Sequence, residues 1–132
     1  MKILDVGQCG FDGPRMARLW REALGAEVQC AATGDDAVEM LQSNDFDVVL
    51  VNRLLDADGS SGLVVIKQVL ELGLKIPVML VGDLPEAQDA AAALGAVRGF
   101  GKAQLAEPST LQLVSRVAGD SRGFVRKSRT EG

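Results

Sequence analysis

The stretch Phe46-Asp-Val-Val-Leu-Val-Asn52-Arg-Leu-Leu-Asp56-Ala-Asp58-Gly-Ser-Ser-Gly62 decides how the chain folds. Residues 47–51 read as a strand, because Val48, Val49, Leu50 and Val51 form an unbroken apolar run. A strand with one solvated face would alternate, so an unbroken run predicts burial on both faces, as in the centre of a parallel sheet. The run stops at Asn52, and a glycine-rich loop leads into an apolar helical pattern from Leu63. In open parallel sheets, ligands and chemistry sit at the carboxyl ends of strands. Asn52 therefore stands where such a fold presents a functional side chain, and it presents an amide in place of a carboxylate.

Similar patterns lie on either side. Lys2 to Val6 is a short apolar strand interrupted by Asp5, and a breaker-rich loop from Gly7 to Pro14 follows it. Asp12 can cap the next helix and Pro14 suits its first turn. Met16, Leu19, Trp20, Ala23 and Leu24 repeat at helical spacing up to Gly25, and residues 27–32 give a second strand. Thr33 or Gly34 opens a helix with Asp35 and Asp36 in its first turn, which suits the helix dipole. Beyond the central strand, a helix spans Gly62 to Leu72, and Ile76 to Val81 forms a strand with Pro77 near its start. An alanine-rich helix from Pro85 to Leu94, a short strand over residues 96–101 and a last helix through Leu111, Val114 and Val117 complete the series. Five strands alternating with five helices predict an α/β sandwich, a parallel sheet covered on both faces and joined by right-handed crossovers.

At 132 residues the chain is long enough for one sizeable core. We place a single domain at residues 1–119 and read 120–132, with Arg122, Arg126, Lys127 and Arg129, as a basic tail or linker expected to be mobile. A net charge of −4 argues against a polyanion binder, and 4% aromatic residues argue against a stacking platform for single strands, so nucleic acid is not an expected partner. The absence of His removes imidazole acid–base chemistry and His-ligated metals. Cys9 and Cys30 are too few for a disulfide framework and fit reduced thiols in a cytoplasm. No apolar run approaches the roughly 20 residues of a membrane span. No cofactor or metal is expected.

The quoted stretch, with "IPVMLVG" and "LGAVRGFGKA", resembles the receiver domain of bacterial two-component response regulators over residues 1–119. The resemblance implies a flavodoxin-like (βα)5 fold with strand order 2-1-3-4-5. It also implies positions for the family's phosphorelay machinery, and most of that machinery is missing. The acidic pair that holds Mg²⁺ falls on Gly7 and Gln8, the phosphoacceptor aspartate on Asn52, and the switch hydroxyl on Gly82. Lys102 alone matches, and Ala103 stands where a proline normally follows it. An amide is too poor a nucleophile to form an acyl phosphate. Gly7 offers Mg²⁺ no side-chain oxygen, and Mg²⁺ demands oxygen ligands. Family practice further implies an interaction face that would include Ala90, Ala91, Arg98 and Phe100.

Several features keep two readings. Lys102 can hydrogen-bond Asn52 or loop carbonyls, or it can hold an anion. The Asp56–Gly62 loop faintly resembles a calcium loop, but Ser60 and Lys67 stand where further acids are needed, so a turn with a helix cap at Ser60 or Ser61 explains it better. The Gly7, Gly10 and Gly13 spacing is not that of a dinucleotide fingerprint. The expected function is a non-catalytic pseudo-receiver, not an enzyme, that works through a protein partner or a second copy of itself. The alternative is an anion- or nucleotide-sensing module built on the vestigial pocket, and a lesser one is phosphotransfer to Asp56 or Asp58.

Overall fold

The computed structural model describes residues 1–7, 12–55 and 59–131, with backbone alone for 12, 13 and 120–131. In chain order the elements are β1 (Lys2–Val6), α1 (Asp12–Leu24), β2 (Glu27–Ala31), α2 (Gly34–Ser43), β3 (Val48–Asn52) and α3 (Gly62–Glu71). β4 (Val78–Val81), α4 (Pro85–Leu94), β5 (Val97–Phe100), a 3-10 turn at Lys102–Gln104 and α5 (Pro108–Glu131) follow. The strands form one parallel sheet in the order β2-β1-β3-β4-β5. This is the expected flavodoxin-like architecture.

β3 lies at the centre with all five residues buried, as its apolar run requires. Asn52 is part of the strand, because it is in register with Val81 across the β3–β4 ladder. β4 starts only at Val78, since Pro77 has no N–H to give, although its carbonyl still accepts from Val49 at 2.9 Å.

Two apolar layers flank the sheet. Leu4, Val6, Val49, Val51 and Leu80 pack against α2, α3 and α4, while Ile3, Val48, Leu50, Met79 and Val81 pack against α1 and α5. In the second layer Trp20 meets Phe100 edge-on with ring centroids 5.9 Å apart. Thr33 caps α2 by accepting from the Asp36 amide at 3.1 Å, and Ser61 caps α3 by accepting from the Leu63 amide at 3.2 Å.

Two expectations need correction. Apolar periodicity predicts that the last helix ends near Val117, but α5 continues as helical backbone to Glu131. No proline interrupts that segment. The expected interaction face also loses two members. Ala91 is wholly buried between α4 and the sheet, and Phe100 is buried against Trp20. Only Ala90, half-buried, and Arg98, exposed, keep any access to solvent.

Candidate functional site

Parallel strands end together, so the carboxyl ends of β1, β3, β4 and β5 gather Gly7, Asn52, Gly82 and Lys102 at one edge of the sheet. These four expected positions share one region. Gln8, Cys9, Asp56 and Asp58 lie outside the described residues, as does the side chain of Asp12.

Asn52 is buried, and its Nδ2 donates to the Gly7 carbonyl at 3.4 Å. Gly7 adopts φ 84°, and its amide donates to the Ala31 carbonyl at 2.8 Å. Glycine is required here twice over. The positive φ disfavours a side chain, and a Cβ would stand 2.6 Å from Cγ of Leu55, itself buried. The loop after β3 folds back on itself to place that leucine. Gly62 donates to the Arg53 carbonyl, Leu55 donates to the Ser60 carbonyl, and Leu54 bridges antiparallel to Ser61. Gly62 allows the close return, because a Cβ there would collide with the Asn52 carbonyl.

An apolar side chain thus packs against the position where the acidic pair would supply a carboxylate. Among the described residues no group of three His, Cys, Asp or Glu side chains gathers to hold a metal. The residues described at this edge do not fit the Mg²⁺ that the family resemblance implies.

The other half of the edge is open. A cavity of about 370 Å³ lies over Gly82 and is walled by Asn52, Arg53, Leu84 and Lys102. Gly82 donates to the Phe100 carbonyl at 2.9 Å, and the Arg53 side chain leans across it, 3.3 Å from where a Cβ would be. Gln88 of α4 fastens the floor. Its Nε2 donates to the carbonyls of Leu80 at 2.9 Å and Gly82 at 3.1 Å, and its Oε1 accepts from the Gly99 amide at 2.9 Å. The β4–β5 register shifts between Met79 and Val81, so the Gln88 amide serves backbone groups where the ladder is irregular.

Asp5 is a buried acid at which sequence reasoning did not stop. It sits inside β1 with no exposure, and among the described residues neither carboxylate oxygen has a hydrogen-bond partner. Burial pushes its pKa up to about 8, while the Lys102 ammonium pulls in the opposite direction. Burial without a hydrogen-bond partner favours the protonated form of this carboxyl group. The available signal was an acid interrupting the apolar run of a strand that the topology must bury. Cys30, beside Asp5 on β2, is a free thiol whose pKa is raised by burial and then by Asp5, against Arg21. It is not an activated nucleophile.

With this geometry in view, similarity to solved structures becomes informative. NtrX from Brucella abortus superposes with a TM-score of 0.78 at 19% identity, covering 98% of this chain and 29% of that one. A response-regulator structure from Chloroflexus aurantiacus gives 0.77 at 24% identity, covering 89% and 97%. The fold is that of a receiver domain. A Burkholderia pseudomallei response regulator, whose structure carries a phosphorylated aspartic acid and a calcium ion, gives 0.70 at 17% identity, covering 99% and 74%. The chain spans under a third of the NtrX length, and the receiver fold is what it shares with that protein. No protein-family model and no curated protein sequence matches the chain. No helix among the described residues is long and apolar enough to cross a membrane.

Proposed function

We propose that the chain is a non-catalytic pseudo-receiver that signals by protein contact without accepting a phosphoryl group. One observation carries the reading: the residue at the carboxyl end of the central strand is Asn52, whose amide is engaged with the Gly7 carbonyl. A neutral amide that donates there gives phosphorus no anionic oxygen to attack it. Leu55 packed against Gly7 supports the same conclusion from the metal side.

Partner contact is placed at the α4–β5 edge. Leu94 and Val97 are exposed there beside Arg98, which pairs with Asp89. Ala90 and Arg98 remain in the proposed face. In this reading residues 1–119 are the signalling domain, residues 120–132 are its basic extension, and the setting is a bacterial cytoplasm.

The test is intact mass after incubation with acetyl phosphate and Mg²⁺. An unchanged mass is expected. A phosphorylated species, mapped to Asp56, Asp58 or any other residue, would overturn the reading.

A further inference from the structure

Gly82 lines the cavity and also joins β4 to the α4–β5 edge, and both of its backbone polar groups are committed. Its amide donates to the Phe100 carbonyl at 2.9 Å, and its carbonyl accepts from Gln88 Nε2 at 3.1 Å. Gln88 has one usable orientation. Rotating its amide by half a turn would set Oε1 against the Leu80 and Gly82 carbonyls and the NH₂ group against the Gly99 N–H. All three contacts would turn repulsive at a side chain that water barely reaches. β5 is equally constrained. A Cβ at Gly99 would collide with the Leu80 carbonyl, so a slide of one residue would drive the Cβ of Arg98 or Phe100 into that oxygen. Phe100 would also have to leave its edge-on contact with Trp20. α4 and β5 meet again one residue along, where Asp89 pairs with Arg98, but that pair is exposed and adds little.

We propose that the α4–β5 face is a permanently set docking surface, held in a single arrangement by Gln88 and offered to its partner without prior activation. Gln88 is the positioning residue. Its side-chain amide stands in for a peptide group between β4 and β5, and it fastens α4 to both strands. A conformational switch needs a second arrangement of comparable free energy, whose population a signal can shift. Here, turning the amide or sliding β5 breaks buried hydrogen bonds or forces a clash. Occupancy of the face is then set by the concentrations of the chain and its partner, independently of the cavity over Gly82. The proposal rests on the pseudo-receiver reading for the use of this face, while the fixed arrangement stands on its own geometry.

The experiment combines ¹⁵N relaxation dispersion with amide hydrogen exchange on the full chain, as wild type, Gln88→Leu and Arg98→Ala. Dispersion reports interconversion on the microsecond-to-millisecond scale, and hydrogen exchange reports rarer local opening. In the wild type, flat dispersion profiles are expected over residues 86–100. Gly99 should exchange within about tenfold of Leu50 at the centre of the sheet. Gln88→Leu should raise dispersion at residues 82, 88–91 and 97–100, and it should speed Gly99 by about tenfold or more relative to Leu50 in the same protein. That internal reference separates release of the edge from a general loss of stability. Arg98→Ala should leave both readouts at the wild-type level, because it removes only the exposed pair.

Dispersion over residues 86–100 in the wild type would overturn the proposal, because the face would then have a second populated state. Flat profiles with a protected Gly99 in Gln88→Leu would overturn it too, as would a loosened edge in Arg98→Ala. The pseudo-receiver reading is decided separately by the acetyl phosphate mass. A phosphorylated species sinks that reading and leaves the fixed arrangement to be judged by relaxation, whereas wild-type dispersion with an unchanged mass sinks the fixed arrangement alone.

Discussion

Asp5 and Gln88 are both buried polar side chains in the layers that flank the sheet, and they are satisfied in opposite ways. Gln88 spends both ends of its amide on three backbone groups of β4, β5 and the turn after β4. Asp5 has no hydrogen bond to either oxygen among the described residues. A buried polar group must be paired or neutral, since an unpaired charge in a low-dielectric interior costs several kcal/mol or more. Gln88 meets that demand by geometry and Asp5 by holding a proton. The Gln88 hydrogen bonds involve no titratable group, whereas the β1 side buries one in Asp5.

The largest expected effect breaks the Asp5 half of this contrast. The folded pKa of about 8 lies above the ordinary value of 3.8. The folded state thus binds the proton more tightly than the unfolded state, and unfolding free energy falls as pH rises through that window. At about 1.4 kcal/mol per pH unit, the native chain should lose between about 3 and 4 kcal/mol relative to Asp5→Asn from pH 5 to pH 8. Urea unfolding followed by Trp20 fluorescence, at both pH values, measures the difference. Parallel pH profiles for the two proteins would mean that Asp5 ionises freely in the folded state.

A second substitution probes how firmly the β1 side is closed. Gly7→Asp restores one carboxylate at the position of the lost acidic pair. It must adopt a left-handed backbone and press on Leu55. Overpacking at roughly 1–3 kcal/mol and the left-handed penalty of roughly 1–2 kcal/mol together predict about 3 kcal/mol of destabilisation. Leu55→Ala alone should cost roughly 2–5 kcal/mol, and the double mutant should be about 1 kcal/mol more stable than the sum of the two single changes. Full additivity would show that Leu55 does not block the position.

The two sides were unequally legible in the sequence. The centre of the sheet was readable because an unbroken apolar run has one comfortable environment, and Thr33 and Ser61 because short hydroxyl side chains suit helix caps. The positions Gly7, Asn52, Gly82 and Lys102 came from the family resemblance, and the parallel strand direction explains why they lie at one end of the sheet. The buried face of α4 was not readable. Ala87 and Ala90 to Ala93 give no amphipathic contrast from which to choose it. Phe100 was misplaced because alternation along β5 breaks where the register shifts. Met79 faces Val97 and Val81 faces Phe100, so β5 carries one residue more than β4 over that interval. Leu55 and Asp5 were hidden for another reason: only loop closure puts the first against Gly7, and an acid is by default expected at the surface.

The smallest predicted change tests the Gln88 half of the comparison. Gln88→Leu keeps a side chain of similar length at a position that is 8% exposed and removes all three hydrogen bonds. The Leu80 and Gly82 carbonyls each lose an amide donor and the Gly99 N–H loses its side-chain acceptor, while the leucine gains some apolar burial. A net loss of about 2 kcal/mol is expected, together with faster hydrogen exchange at Gly99. The pH dependence set by Asp5 should persist unchanged, because the two residues share no hydrogen-bond partner and their effects should add. Unaltered stability with continued protection of Gly99 would show that the strand ladder holds this edge without the glutamine. A shift in the Asp5 titration would instead reveal that the β1 and β4–β5 sides are coupled through the cavity between them.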